Sequence, residues 1–353
     1  MPYDLSKVCN KKELLLNVAF VQRSTANLIK AGQVVARAQL PITQYDFAKQ
    51  CNGCCQAAFG KMGGLTKVVA NDGTTISGDD FTITFDKQMF ISRYSVAGIE
   101  MLKEDGHITP NFWRAPTDND YGAGQQNKLK AWKNPTLKLE DSSANIDGDK
   151  AVVAARYSMP EVQAELTITY EIDAYGAVKL TQSMKVNGKD IAEPFRFGIQ
   201  MQMPNLMDHS TYYGRGPIEN YCDRNHSTFR GIYSQTADEQ AYMYIRPQEM
   251  GTKSDMRWWK QTTIGGRGLR ITSDAPFFAS ALHYSIESLD EGDNKKQGHT
   301  PEVEPVDYTN VLIDSAQRGV GGVNSWGALP LDQHRVKYAD MTMVLYLTPL
   351  RHK

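Results

Sequence analysis

From residue 79 to the C-terminus the chain is punctuated for β-strands and for little else. FTITF at 81–85 alternates aromatic residues with threonine, the signature of a half-buried strand. AVVAARYS, QAELTITYEI and AVKLTQSMKV follow as a meander with short turns, the last after an Asp-Ala-Tyr-Gly turn at 173–176. FRFGIQMQ, LRITS, FFASALHYS, YTNVLID and MTMVLYLT carry the series to the end. Helical spacing is scarce, with one short candidate at 238–243. Strands that arrive about every ten residues with hairpin punctuation predict an all-β class. A meander this long must stack two sheets to bury both inner faces, so the expected architecture is a large antiparallel β-sandwich at 79–353. No propeller or solenoid repeat is visible.

Upstream the pattern is different. LLLNVAFV and VVARAQL read as two strands joined by a Gly turn. Two strands cannot hold a domain. Residues 43–78, rich in Gly, Thr, Asn and Cys, read as a linker with one strand at TKVV. The chain starts in what reads as mid-domain sequence, so it is expected to be a piece of a longer protein.

The totals exclude some functions. At 353 residues and a net charge of −1, the chain has ample core and no general pull toward nucleic acid or anionic membranes. No apolar run reaches the length of a membrane span, and no signal-peptide order opens the chain. Cys9, Cys51, Cys54, Cys55 and Cys222 make an odd, crowded set, a poor disulfide framework. Cys51-x-x-Cys54 lacks a second half that would complete a zinc site, so free thiols are expected.

The segment 212–259 is the most informative for function. It mixes Arg215, Glu219, Asp223, Arg224, Arg246, Glu249, Asp255 and Arg257 with eight Tyr and Trp residues, too polar for a core and too aromatic for disorder. An ordered loop network is expected, facing a polar ring-shaped ligand or a neighbouring domain. Satisfied ion pairs capping a sheet are the alternative.

GRGPIENYCDR and YIRPQEMGTKSDMRW, preceded by PNFWRAPTDNDYG and followed by GVGGVNSW, closely resemble the C-terminal domain of the large bacterial β-galactosidases of glycoside hydrolase family 2. The resemblance implies a sandwich of the galactose-mutarotase type, with 1–42 as the truncated tail of an immunoglobulin-like domain. It also implies a galactoside substrate and a TIM-barrel domain elsewhere in a homo-oligomeric parent. Mg and Na are implied for that parent, with no metal or other cofactor in this segment. Cytoplasm and periplasm both stay open.

Candidate residues follow from these words. Galactose has one apolar face of C–H groups that an aromatic plane can cover. Trp326, after three glycines, suits a projecting loop, and its family counterpart lines the sugar pocket; a core tryptophan is the alternative. Asn324 and Asp120 are grouped with it, and the stretch after Gly122 is implied to border the pocket and to shift during reaction. Asp118, Asn119 and Asp120 read as a tight turn, short of the ligands an EF-hand needs. Arg114 is expected to pair with one of the two aspartates. Glu219 is the first carboxylate to test as a catalyst, but carboxylates among arginines are poor general acids at neutral pH. Glu219, Asp223, Arg224 and Arg257, with Arg114 and Asp118, therefore read as a structural ion-pair network. Trp113 reads as buried, and of Trp258 and Trp259 one should face inward and one outward. The acidic stretch 287–304 reads as a solvated insertion.

A retaining glycosidase needs two carboxyl groups about 5–5.5 Å apart. The resemblance places both in the TIM barrel, the acid within an Asn-Glu word, and the sequence has no Asn-Glu dipeptide. No catalytic residue is therefore expected here. A free-standing aldose mutarotase, drawing on His209, His226, His283 and Glu302 or Glu304, is the rival enzyme, and polarimetry separates it. A non-catalytic carbohydrate-binding module is the third reading, and calorimetry with galactose separates it from pure scaffold.

Overall fold

The structure is a computed structural model that describes residues 13–48, 63–322, 324 and 326–351. The chain divides into two compact units, Met1–Asn52 and Gly53–Lys353. In the first, Leu14–Val21 pairs antiparallel with Val34–Thr43, and the Asn17 and Gln39 side chains hydrogen-bond across the pair at 2.9 Å. Most of this hairpin is exposed, since two strands cannot cover each other's apolar residues.

The second unit is all-β and antiparallel, with its strands joined into one network that closes on itself. Alternation builds the core. In Lys150–Met159, Ala151, Val153, Ala155, Tyr157 and Met159 are buried while their neighbours face outward. Opposite them, Leu166, Ile168 and Tyr170 of Ala164–Asp173 point the same way, with Tyr170 edge-on to Phe85 at 5.0 Å. Trp259 is fully buried and stacks on Tyr212 at 4.8 Å, whereas Trp258 faces Lys260 and Arg270.

Three expectations change. LRITS and FFASALHYS belong to one 15-residue strand, Gly268–Leu282. Its first half pairs with Met341–Leu350 and its second with Tyr308–Gln317, and the exposed Asp274-Ala275-Pro276 marks the bend between them. Within 43–78, Thr66–Ala70 and Gly73–Ser77 pair with each other, and the latter pairs with Phe81–Phe85, so the sheet begins before residue 79. The helical candidate at 238–243 is the single turn Ala237–Gln240, opened by a Thr236–Glu239 capping box. The cysteine-rich word around 51–55, and Cys9, lie outside the described residues.

One strand organises the functional end. Arg196–Pro204 pairs with Ile108–Asn111 on one side and with Tyr308–Gln317 on the other. Asn111 lies opposite Gly198 and Gln317 opposite Arg196, so the segments leaving those two strands start side by side.

Candidate functional site

Arg114 joins the two segments. It is fully buried over the Phe195 ring at 4.7 Å. Its Nε and Nη2 donate to the two Asp120 oxygens at 3.1 and 2.9 Å, while Nη1 and Nη2 donate to the carbonyls of Arg318 and Gly319 at 2.7 and 3.0 Å. A planar guanidinium suits this fork of contacts, which a lysine could not reproduce. Asp120 also accepts the Thr117 N–H and completes a capping box for the helical turn Asp118–Gly122. Asp120 is buried and its carboxylate accepts three hydrogen bonds from Arg114 and Thr117, so it supports the turn from beneath.

The glycine-rich loop is clamped from its other side. The Asp223 carboxylate accepts the Val320 and Gly321 N–H groups at 3.2 and 2.8 Å, a backbone anchor where the sequence suggested an arginine partner. A side chain at residue 319 would come within 2.3 Å of that carboxylate, so Gly319 admits the close approach. Asn119 donates to the Val320 carbonyl at 2.9 Å, and the Cys222 thiol, pushed up to about 11 by burial and then by Asp223, faces the Gln317 carbonyl.

Held in this way, the loop projects Trp326, which is 89% exposed. Its N–H donates to the Asn324 carboxamide oxygen at 2.9 Å, a side-chain bond to the backbone two residues on. A Cβ placed on Gly327 would sit 3.6 Å from the Gly122 carbonyl oxygen, so the tryptophan loop and the helical turn abut. Gly122 closes the turn in helical geometry, and Gly124 is the residue with left-handed φ, +68°. Beside Gly122 opens a polar cleft of about 500 Å³, walled by Asp118, Tyr121, Arg246 and Lys295. Asp118 pairs with Lys295 and lies 3.7 Å from Arg246. Tyr121 donates to the Gly292 carbonyl, its hydroxyl driven well up by burial and then by Asp290 and Glu291.

The stretch 287–304 is solvated only in part: Asp293, Asn294, Lys296, Gln297, His299, Glu302 and Glu304 are exposed, while Leu289, Asp290 and Glu291 pack inward. The Asp290 side chain is 2% exposed, pairs with Lys133 at 2.6 Å and accepts the buried Trp113 indole N–H at 2.8 Å. Glu291 and Thr300 are buried as well.

Glu219 is nearly buried and acts wholly as an acceptor, from Arg224, the Tyr244 hydroxyl and the Gly251 N–H. Buried Arg257 donates to the Asp255 carbonyl, and Arg215 pairs with Asp255 at 2.7 Å. The rival histidines are scattered: His209 lies against Asp208, His283 against the Tyr308 carbonyl, and His226 is exposed. Among the described residues none of them bonds to Glu302 or Glu304.

The sequence reading missed the buried charges beneath the loop. Arg196 meets Glu249 at 2.8 Å and Asp314 at 3.4 Å, and Arg318 pairs with Glu193. The available signal was a charge inside or just after an apolar strand word, as in FRFG and LIDSAQR. One Asp314 oxygen has no hydrogen-bond partner. Burial pushes this carboxyl up to about 7, with Arg196 opposing and Glu249 adding to the rise. A folded value above the unfolded 3.8 means that the native state binds the proton more tightly. The contribution of Asp314 to stability is therefore fully present below the unfolded value and lost as pH rises toward 7. Asp314→Asn should gain on the wild type in urea midpoint as pH rises from about 4 to about 7 and hold a constant lead above that. A lead that shrinks over this window would mean that Arg196 keeps the carboxylate ionised.

The chain is 35% identical over 257 residues to a β-galactosidase of Lactobacillus delbrueckii subsp. bulgaricus, covering 71% of this chain and 24% of that protein. It is 32% identical over 258 residues to a β-galactosidase of Priestia megaterium, covering 72% and 24%. The chain thus spans about a quarter of the length of these relatives. Among solved structures, galactose 1-epimerase from Lactobacillus acidophilus NCFM superposes with a TM-score of 0.43 at 9% identity, covering 83% of this chain and 99% of that one. Residues 77–347 match the model of the β-galactosidase small chain, and the chain belongs to that family.

Proposed function

We propose that this chain forms one wall of a galactoside site whose bond-breaking carboxylates lie in another domain of a longer β-galactosidase. The observation that carries the reading is an indole left 89% exposed on a loop that is anchored at its base by Arg114 and Asp223. An exposed indole held on an anchored loop offers a flat apolar face that a ligand can cover at little ordering cost. The apolar face of a galactose ring is a fitting cover, and the hydroxyls on its edge would meet the polar cleft beside Gly122. The relatives' names supply the substrate class. Glu219, held by three donors, is a structural acceptor in this reading and takes no part in proton transfer.

In the full-length enzyme, Trp326→Ala is expected to raise KM for an aryl galactoside about tenfold, the loss of one aromatic contact, with the unfolding midpoint unchanged. Unaltered kinetics would remove Trp326 from the site. The isolated chain is expected to be inactive, and turnover abolished by Glu219→Gln would overturn the division of labour between domains.

A further inference from the structure

A second cleft, of about 300 Å³, shares no lining residue with the one at Gly122. Its walls come from the Ile108–Asn111 and Arg196–Pro204 strands, from Trp113 and Lys133, and from the start of the acidic stretch at Ile286, Glu287 and Asp290. Its size is at the lower end of small-molecule sites, about 300–1,000 Å³, and fits a single ring better than an oligomer.

The lining sets the chemistry of an occupant. Lys133 is neutralised by Asp290, which also takes the Trp113 indole N–H, and His107 lies 3.4 Å from Asp86, so among the described residues no unpaired cation lines the cleft. Glu287, exposed, is a lone carboxylate and a weak basis for holding a cation. Apart from Thr109, the remaining polar side chains are the amides of Asn111, Asn134, Gln200 and Gln202. Asn111 is 7% exposed, accepts the Trp113 backbone N–H at 3.0 Å and leaves its Nδ2 without a partner. Gln200 makes no side-chain hydrogen bond among the described residues, and Gln202 makes only a 3.4 Å contact with the Tyr308 hydroxyl. A buried amide donor without a partner is costly, and amides pair equally well with the donor and acceptor sides of hydroxyl groups. Pro110, Ile286 and Trp113 add an apolar flank for C–H groups.

We infer that this cleft is a second saccharide site, which takes one neutral sugar ring independently of Trp326. The test is a calorimetric and NMR titration of the whole chain with D-galactose, D-glucose, lactose and inorganic phosphate. Saturable binding of a monosaccharide is expected, with a component that persists in Trp326→Ala and is the one that the two cleft variants weaken. Asn111→Asp, which keeps the acceptor for Trp113 and removes the donor, should weaken binding at least about tenfold, as should Gln200→Leu. Thermal melts establish that each variant is folded, and either one suffices for the comparison. The inference is overturned by an absence of saturation at about 100 mM sugar. It is equally overturned by preference for phosphate, or by binding that Trp326→Ala abolishes and the two cleft variants leave intact. Failure here leaves the Trp326 reading untouched, because the kinetic test of that residue does not involve this cleft.

Discussion

Arg114→Met is expected to lower the unfolding free energy by about 3–5 kcal/mol, the range for removing one partner of a buried ion pair. The guanidinium is fully buried, so its loss strands the Asp120 charge, which is 4% exposed, away from water. It also removes the donors that hold the Arg318 and Gly319 carbonyls, so the base of the tryptophan loop should loosen along with the Asp118–Gly122 turn. Urea unfolding gives the first quantity, and amide exchange at 319–322 gives the second. Arg114→Met combined with Asp120→Leu should recover much of the loss, because replacing both members of a buried pair by apolar groups is often close to neutral. The exchange rates should not recover, since the carbonyls still lack their donors. A loss under about 1 kcal/mol for the single variant would put the pair in the class of surface ion pairs and contradict its burial.

The strands were legible because apolar alternation is a local signal. FTITF, with Phe81, Ile83 and Phe85 inward, can be read without knowing any distant residue. What local pattern could not supply was partners. Arg114 could be assigned to an aspartate within six residues, but its carbonyl contacts at Arg318 and Gly319 lie more than two hundred residues away. Asp223 read as one member of an ion-pair network, yet it binds backbone N–H groups 97 and 98 residues downstream. The acidic stretch at 287–304 read as solvated throughout for the same reason, and its second half is largely exposed, whereas the burial of the Asp290 side chain against Trp113 and Lys133 depends on tertiary packing. The first strands of the second unit were obscured by composition, since Thr and Gly in Gly73–Ser77 give almost no apolar rhythm. The exposure of Trp326 was suggested by its three preceding glycines, and the structure adds the clamp beneath it.

Gly198→Ala is expected to cost about 3 kcal/mol, at the upper end of overpacking losses, because the obstruction is backbone. A Cβ at this position would lie 2.4 Å from the Ile313 carbonyl oxygen and 2.8 Å from the Asp314 Cα, besides 2.1 Å from an Asp314 carboxylate oxygen. The carboxylate can rotate away, but the other two atoms move only if Arg196–Pro204 parts from Tyr308–Gln317. That separation would disturb a strand paired on both sides, with Arg196 at one end and Gln200 on the second cleft. Gly148→Ala is the control. Gly148 adopts a φ of +59° in a hairpin turn with nothing within 4 Å of an added Cβ, so its loss should reflect backbone conformation alone, about 1–2 kcal/mol. Gly198 has no left-handed φ, so any loss there comes from crowding. If chemical denaturation found Gly198→Ala no costlier than Gly148→Ala, the strands around Asp314 would have to be looser than their register implies, and the raised carboxyl beside them would lose its dry surroundings.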